Sequence, residues 1–270
     1  MESHLMHNLK GAYTIWYRDV LRFMRDRSRI FGSLAQPLLF LFALGFGLQG
    51  LLGHAGGAAG LPPGVSFIVF LFPGILCMTV LFTALFSAIS IVWDREFGFL
   101  REVLVAPVSR TAVAFGKVAG GSTVAMIQAS IIMLLGPFLG VRYSVAKIVL
   151  MLLTLLLLAA VISALGILIA SRQKTMEGFQ VIMQFLLLPM LFLSGAFFPF
   201  TGGGGAAAVL RDVGQVNPMS YGVDAMRQIA LAEKLPAALF LHPAGVDALI
   251  LLGFFVLFLV PAVLLFAKQD

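Results

Sequence analysis

The sequence predicts an all-α polytopic membrane protein of six transmembrane helices. An N-terminal amphipathic interfacial helix, a cytoplasmic helix after span two and extracellular re-entrant helices between spans five and six complete it. Three observations carry this. Residues of the AVILMFWYC set make up 60% of the 270 and charged residues only 11%, against roughly 25% charged in a soluble domain. Packing in water cannot hide that much apolar surface, and disorder needs the opposite composition. The apolar residues also fall in six charge-poor runs: 30–52, 66–92, 111–139, 145–170, 178–199 and 249–267. Each exceeds the roughly 18 residues that cross about 30 Å of hydrocarbon at about 1.5 Å per residue. Helices are expected because backbone amides find no water there, and the runs lack the alternation of barrel strands.

Taken in order, residues 1–29 form a cytoplasmic amphipathic helix. Leu9, Tyr13, Trp16, Val20 and Phe23 recur at helical spacing, while Arg18, Arg22, Arg25 and Arg29 repeat on the other side. Such a helix lies in the headgroup layer, with Trp16 and Tyr17 as anchors. Residues 30–270 form a single transmembrane domain. Thirteen of the eighteen Lys and Arg residues fall in the N-terminal arm, after span two, after span four and in the tail. That imbalance puts both termini in the cytoplasm and requires an even number of spans. The first 29 residues are too charged for a cleavable signal peptide, so span one is the expected insertion signal. Between spans five and six, four consecutive glycines at 202–205 precede two helix-like pieces, 206–213 and 219–234. The first is apolar enough to dip into the membrane as a re-entrant hairpin shielded by protein.

Little in the sequence suggests chemistry. The net charge of +6 follows from topology and implies no nucleic acid. Cys77 is a lone cysteine, and His4 and His7 lack a third ligand, so neither a disulfide nor a metal site is expected. No catalytic residues are assigned, and no cofactor is expected on this chain. Gly116-Lys117 is the nearest approach to a phosphate-binding loop, but Thr111 and Val118 stand where a glycine and a hydroxyl belong. Asp224 and Arg227, at i and i+3, read as a helix-surface pair. The span middles carry no charge for a proton relay; Lys117 and Lys147, near span ends, are placed to snorkel. Gln36, Gln128, Gln184 and scattered hydroxyls either bond helix to helix or line a path. Gly116-x-x-x-Gly120 and Gly166-x-x-x-Ala170 allow close helix contact, within one subunit or between two. The energy for any transport must therefore come from a cytoplasmic partner. The alternatives are a stand-alone ion-coupled carrier and an integral membrane lipid-modifying enzyme. The first lacks intramembrane carboxylates and the second lacks a placed acid/base pair.

The handle for such a partner is residues 93–110. Asp94, Arg95, Glu96, Arg101, Glu102 and Arg110 alternate with Phe97, Phe99, Leu100, Val103 and Leu104. Gly98 permits a bend and Pro107 ends the helix. An apolar face with a charged rim suits docking in a groove.

At these residues the chain resembles the type-2 (ABC-2) permeases of ATP-binding-cassette exporters, the membrane subunits of drug-resistance, Nod-factor and polysaccharide or lipid exporters. Arg95-Glu96-Phe97-Gly98, then Pro107-Val108-Ser109-Arg110 and Gly116-Lys117, is similar to the family's R-E-x-G…P-V-S-R…G-K pattern. A second match joins Ser194-Gly195-Ala196-Phe197-Phe198-Pro199 to Asn217-Pro218, Tyr221, Asp224 and Arg227, resembling S-G-x-F-F-P and N-P-x-x-Y-x-x-D-x-x-R. The resemblance, with its six spans, covers essentially the whole chain. It implies a homodimer or heterodimer of permeases in a bacterial or archaeal cytoplasmic (inner) membrane. Two cytoplasmic ATPase subunits, holding ATP and Mg, would drive it through a coupling helix after span two, with the N-terminal helix also touching them. The substrate path would run between permeases, flanked by spans one, two and five, with Gln36, Phe40, Phe82, Ser87 and Gln184 as candidate lining. Low charge inside the spans favours an amphiphilic, drug-like, lipid or lipo-oligosaccharide cargo.

Overall fold

The structure, a computed structural model, describes residues 2–54, 61–62, 65–96, 109–198 and 212–267. Among these residues every regular element is helical: α1 (Glu2–Arg25), α2 (Arg27–His54), α3 (Phe67–Ser87), α4 (Ile89–Glu96), α5 (Arg110–Met133), α6 (Val145–Ala170), α7 (Met176–Phe192), α8 (Pro218–Leu231) and α9 (Ala244–Ala267). Among the described residues four segments are long and apolar enough to cross a membrane: Ile30–Leu48, Phe67–Glu96, Val145–Ala170 and Ala244–Leu265. α5 is long enough, but three glycines and its polar residues dilute it, while α7 is apolar and only 17 residues long.

Local sequence sets the boundaries. Ser109, Ser144, Thr175 and Asn217 are N-caps whose side-chain oxygens accept the amides of Ala112, Lys147, Gly178 and Met219, satisfying donors that a helix start leaves open. Pro218 follows its cap at the position where a missing N–H costs nothing.

The chain departs from the expected spans in four places. Span three does not run helical to 139: α5 stops at Met133, and a 3-10 turn at Pro137–Leu139 leads to Gly140 with φ 89°. Pro137 has no N–H to give the Met133 carbonyl, and its ring crowds that oxygen. Span two breaks at Ala88 and resumes as α4, so residues 93–96 extend that span rather than opening a separate helix. Span five ends at Phe192, and the backbone turns at Gly195 with φ 72°, a conformation suited to glycine. Span six starts at Ala244, five residues early, because Asp247 is buried with partners.

α3 is the hub of the bundle, buried without a break from Phe67 to Leu81. It packs against α2, α5, α6 and α8, while α9 covers α6 and α8, and α1 lies along α5. Gly74 lets the 195–197 turn approach: a Cβ there would sit 2.5 Å from the Ala196 carbonyl oxygen. Apolar side chains of α2 (Phe31, Leu39, Phe46) and α7 (Phe185, Leu188) remain exposed. The outward helices thus present the surface a bilayer or another membrane subunit would cover.

Candidate functional site

The N-terminal helix is held by a glycine seat. A Cβ on Gly116 would lie 2.7 Å from the Ala12 carbonyl oxygen, and one on Gly120 would lie 3.1 Å from Asp19 Cβ. The Gly116-x-x-x-Gly120 motif therefore packs α5 against α1 within this subunit. Trp16, expected as a headgroup anchor, is partly buried and donates from Nε1 to Thr123 Oγ1 at 3.0 Å. Tyr13 and Tyr17 stay exposed.

Beside the seat is a cluster of charges. Lys117 does not snorkel. Its side chain is 6% exposed, and Nζ lies 3.4 Å from both Asp19 Oδ2 and Asp94 Oδ2 and donates to Ser90 Oγ at 2.9 Å. A buried ammonium persists only where such partners surround it. Arg18 joins Asp94 at 3.4 Å, and the Arg22 guanidinium lies 5.3 Å above the Trp93 ring. Two carboxylates and two cations thus fasten α1, α4 and α5 together. Arg25 faces outward.

Both ends of the 97–108 segment are tied into this region. Arg95 donates to the Gln173 carbonyl and, at 3.1 Å, to that of Ser171, while Glu96 Oε2 accepts the Met176 amide at 3.1 Å. A cation meets the end of α6 and a carboxylate the start of α7, the signs that helix dipoles favour. At the far end, the Ser109 amide donates to Asn8 Oδ1 of α1 at 2.8 Å, and Arg110 opens α5. Phe97, Gly98, Leu100, Arg101, Glu102 and Pro107 lie outside the described residues.

The second motif block forms a lock around α8. Asn217 caps the helix and donates from Nδ2 to the Met190 carbonyl at 2.6 Å. Tyr221 donates to the Gln215 carbonyl at 2.7 Å. Ser194 donates to the Leu191 carbonyl at 2.6 Å and accepts the Ala196 amide. Arg227 donates to the Gly195 and Ala196 carbonyls at 2.9 and 3.4 Å and lies 4.0 Å from the Phe70 ring. Asp224 Oδ2 accepts the Leu241 and His242 amides at 2.8 and 3.2 Å, and Gln228 Nε2 at 3.0 Å. Asp224 and Arg227 are both 3% exposed, so they are not a helix-surface pair; each clamps a different backbone turn. Burial pushes the Asp224 carboxyl above its ordinary value, opposed by those two amides and by Arg227. Pro199 lies outside the described residues, as do residues 199–211 of the expected external hairpin.

Of the candidate path residues, the structure brings together Gln36 and Phe82, which line one cavity. Ser87 lines an adjacent one with Asp19. Phe40 stacks on Phe197 with centroids 5.6 Å apart, and Gln184 faces outward from α7. Sequence reasoning missed Asn8, Asp19 and Ser90, the partners of the cytoplasmic motif. It also missed Asp247, fully buried with Gln228 Nε2 at 3.4 Å. For Asp19 a signal existed: it lies on the Trp16 side of α1, opposite the small residues flanking Lys117.

A family model for the ABC-2 type transporter matches residues 11–231. The chain is 30% identical to the transport permease ycf38 of Cyanophora paradoxa over 81% of its length and 73% of the relative. It is 27% identical to Nodulation protein J of Rhizobium meliloti (strain 1021), covering 82% of this chain and 81% of that one. It is also 27% identical to the inner membrane transport permease YadH of Escherichia coli (strain K12), covering 79% and 80%. The family match takes in the seat on α5, residues 95–110 and α8, and the chain belongs to the ABC-2 type transporter family as a membrane-spanning transport permease.

Proposed function

We propose that this permease is the membrane subunit of an exporter for amphiphilic, drug-like, lipid or lipo-oligosaccharide cargo. It crosses the cytoplasmic membrane six times with both termini inside. A second permease, identical or related, completes the path, and two separate ATPase subunits supply ATP turnover. The relatives named as inner membrane permease and Nodulation protein J support the setting. The single observation that carries the reading is the anchoring of Asp94, Arg95, Glu96 and Ser109, which flank residues 97–108. A load on that segment reaches the α6–α7 turn through Arg95 and Glu96, α5 through Asp94 and Lys117, and α1 through Ser109 and Asn8. Short tethers from the flanking residues to packed helices transmit displacement.

In this scheme residues 97–108 meet the ATPase, with Arg101 and Glu102 fixing register by charge. Arg95 and Glu96, expected as docking residues, pass the motion inward. The permease selects cargo by its different fit to two conformations. The test is reconstitution in proteoliposomes with an ATP-binding-cassette ATPase that co-purifies with the permease. Export should require that ATPase, and Glu102→Lys should stop export while the protein still inserts and the partner still hydrolyses ATP. Cargo movement by the purified chain alone would overturn the reading.

A further inference from the structure

Polar side chains from α2, α3 and α5 converge on one half-open space. A cavity of about 220 Å³ lies between α1, α2, α3 and α5. Its polar wall is Ser33, Gln36, Thr83 and Gln128; its apolar wall includes Phe23, Phe82 and Phe86. Among the lining residues none is charged. The volume falls below the roughly 300–1,000 Å³ that takes a whole drug-sized ligand, so the space suits one end of a longer molecule.

Gln128 is fully buried. Its Oε1 accepts from the Thr83 hydroxyl, and its Nε2 donates to Ser33 Oγ; Ser33 in turn donates to the Ile30 carbonyl at 3.0 Å. An amide carries two N–H donors and two acceptor lone pairs. These bonds use one of each, and Gln128 holds the Ser33 and Thr83 hydroxyls on the cavity wall, where with Gln36 they face a ligand. An uncharged amide or hydroxyl can both donate to and accept from such a wall. An ammonium or carboxylate would be desolvated with no counter-charge in the lining. Gln36 stands at the rim, exposed, and the outward face of α2 beside it carries Phe31 and Leu39, 73% and 64% exposed. A tail leaving the cavity thus meets an apolar strip.

Phe23 is the wall of interest. It is 2% exposed and lines both this cavity and the neighbouring one beside Asp19 and Ser90. It also belongs to α1, the helix tied to both ends of residues 97–108. Resting on the exporter reading above, we propose that this cavity binds the uncharged, hydrogen-bonding end of an amphiphile inside one subunit, with Phe23 on α1 as its movable wall.

The test uses the full chain in lipid nanodiscs and three radiolabelled probes of equal chain length: N-decylacetamide, decylammonium and decanoate. The amide probe should saturate at one site per chain, while the charged probes only partition into lipid. Gln128→Leu should weaken amide binding about tenfold. Thr83→Ile, which removes a hydroxyl and fills space, should weaken it as well and serves if the first variant fails to fold. Phe23→Ala should admit a longer-headed probe, N-decylbenzamide, that the unaltered protein binds poorly. Saturable binding of all three equal-length probes alike, or unaltered amide binding in a folded variant, would overturn the proposal and leave the network as helix packing. Such a failure alongside ATP-driven export by the reconstituted complex removes only the cavity. Loss of amide binding in Gln128→Leu without ATP-driven export would support the cavity and remove the exporter reading.

Discussion

Lys117 keeps its ammonium out of water, and Asp19 and Asp94 make that position tolerable. Lys117→Met leaves two half-buried carboxylates with Arg18 as their remaining ion partner among the described residues, so unfolding stability should fall by about 3 kcal/mol. Lys147→Met breaks a bridge to Glu233, whose side chain is 74% exposed, and should leave unfolding stability close to that of the unaltered protein. Thermal unfolding of the two variants in nanodiscs separates these cases. Asp224 adds a pH dependence. Its raised pKa means the native chain holds this proton to higher pH than the unfolded chain does. Its contribution is therefore full below the ordinary carboxylate range and is lost as pH rises through the raised value. Melting temperature should fall as pH rises above the ordinary carboxylate range, and Asp224→Asn should lessen that fall.

At the level of elements, the α1–α5 contact depends on missing side chains. Gly116→Leu drives a side chain into the Ala12 backbone, so amide exchange across α1 should accelerate at least about tenfold. Gly32→Ala meets nothing within 4 Å and should stabilise α2 by roughly 0.5–1 kcal/mol, making it the matched control. Element boundaries show what the sequence discloses. α6 matches its expected span residue for residue, since a serine cap opens it and Arg172 follows its end. The end of α5 was hidden because residues 134–139 stay apolar while Pro137 turns the backbone. The start of α9 was hidden because Asp247 reads as a loop residue until its burial beside Gln228 is known. In the candidate site, the motif residues were legible but not their roles. Arg95 and Glu96 look like a docking rim in one dimension and clasp the α6–α7 turn in three. Nothing in local spacing announces a partner 76 or more residues away.

For the whole molecule, the clasp makes a prediction distinct from docking. Arg95→Ala with Glu96→Gln should leave the ATPase bound and turning over while export drops at least about tenfold, measured as transport per ATP hydrolysed in proteoliposomes; equal losses in both activities would place these residues at the ATPase surface instead. The seat of α1 carries a different consequence, for biogenesis. Trp16 finds Thr123 across 107 residues of sequence, which at roughly 5–20 residues per second of synthesis is a wait of about 5–20 s. Through that interval the first helix leaves the ribosome with no protein to receive it. Its amphipathic character gives it a temporary berth on the lipid surface until the notch it belongs in has been threaded into the bilayer.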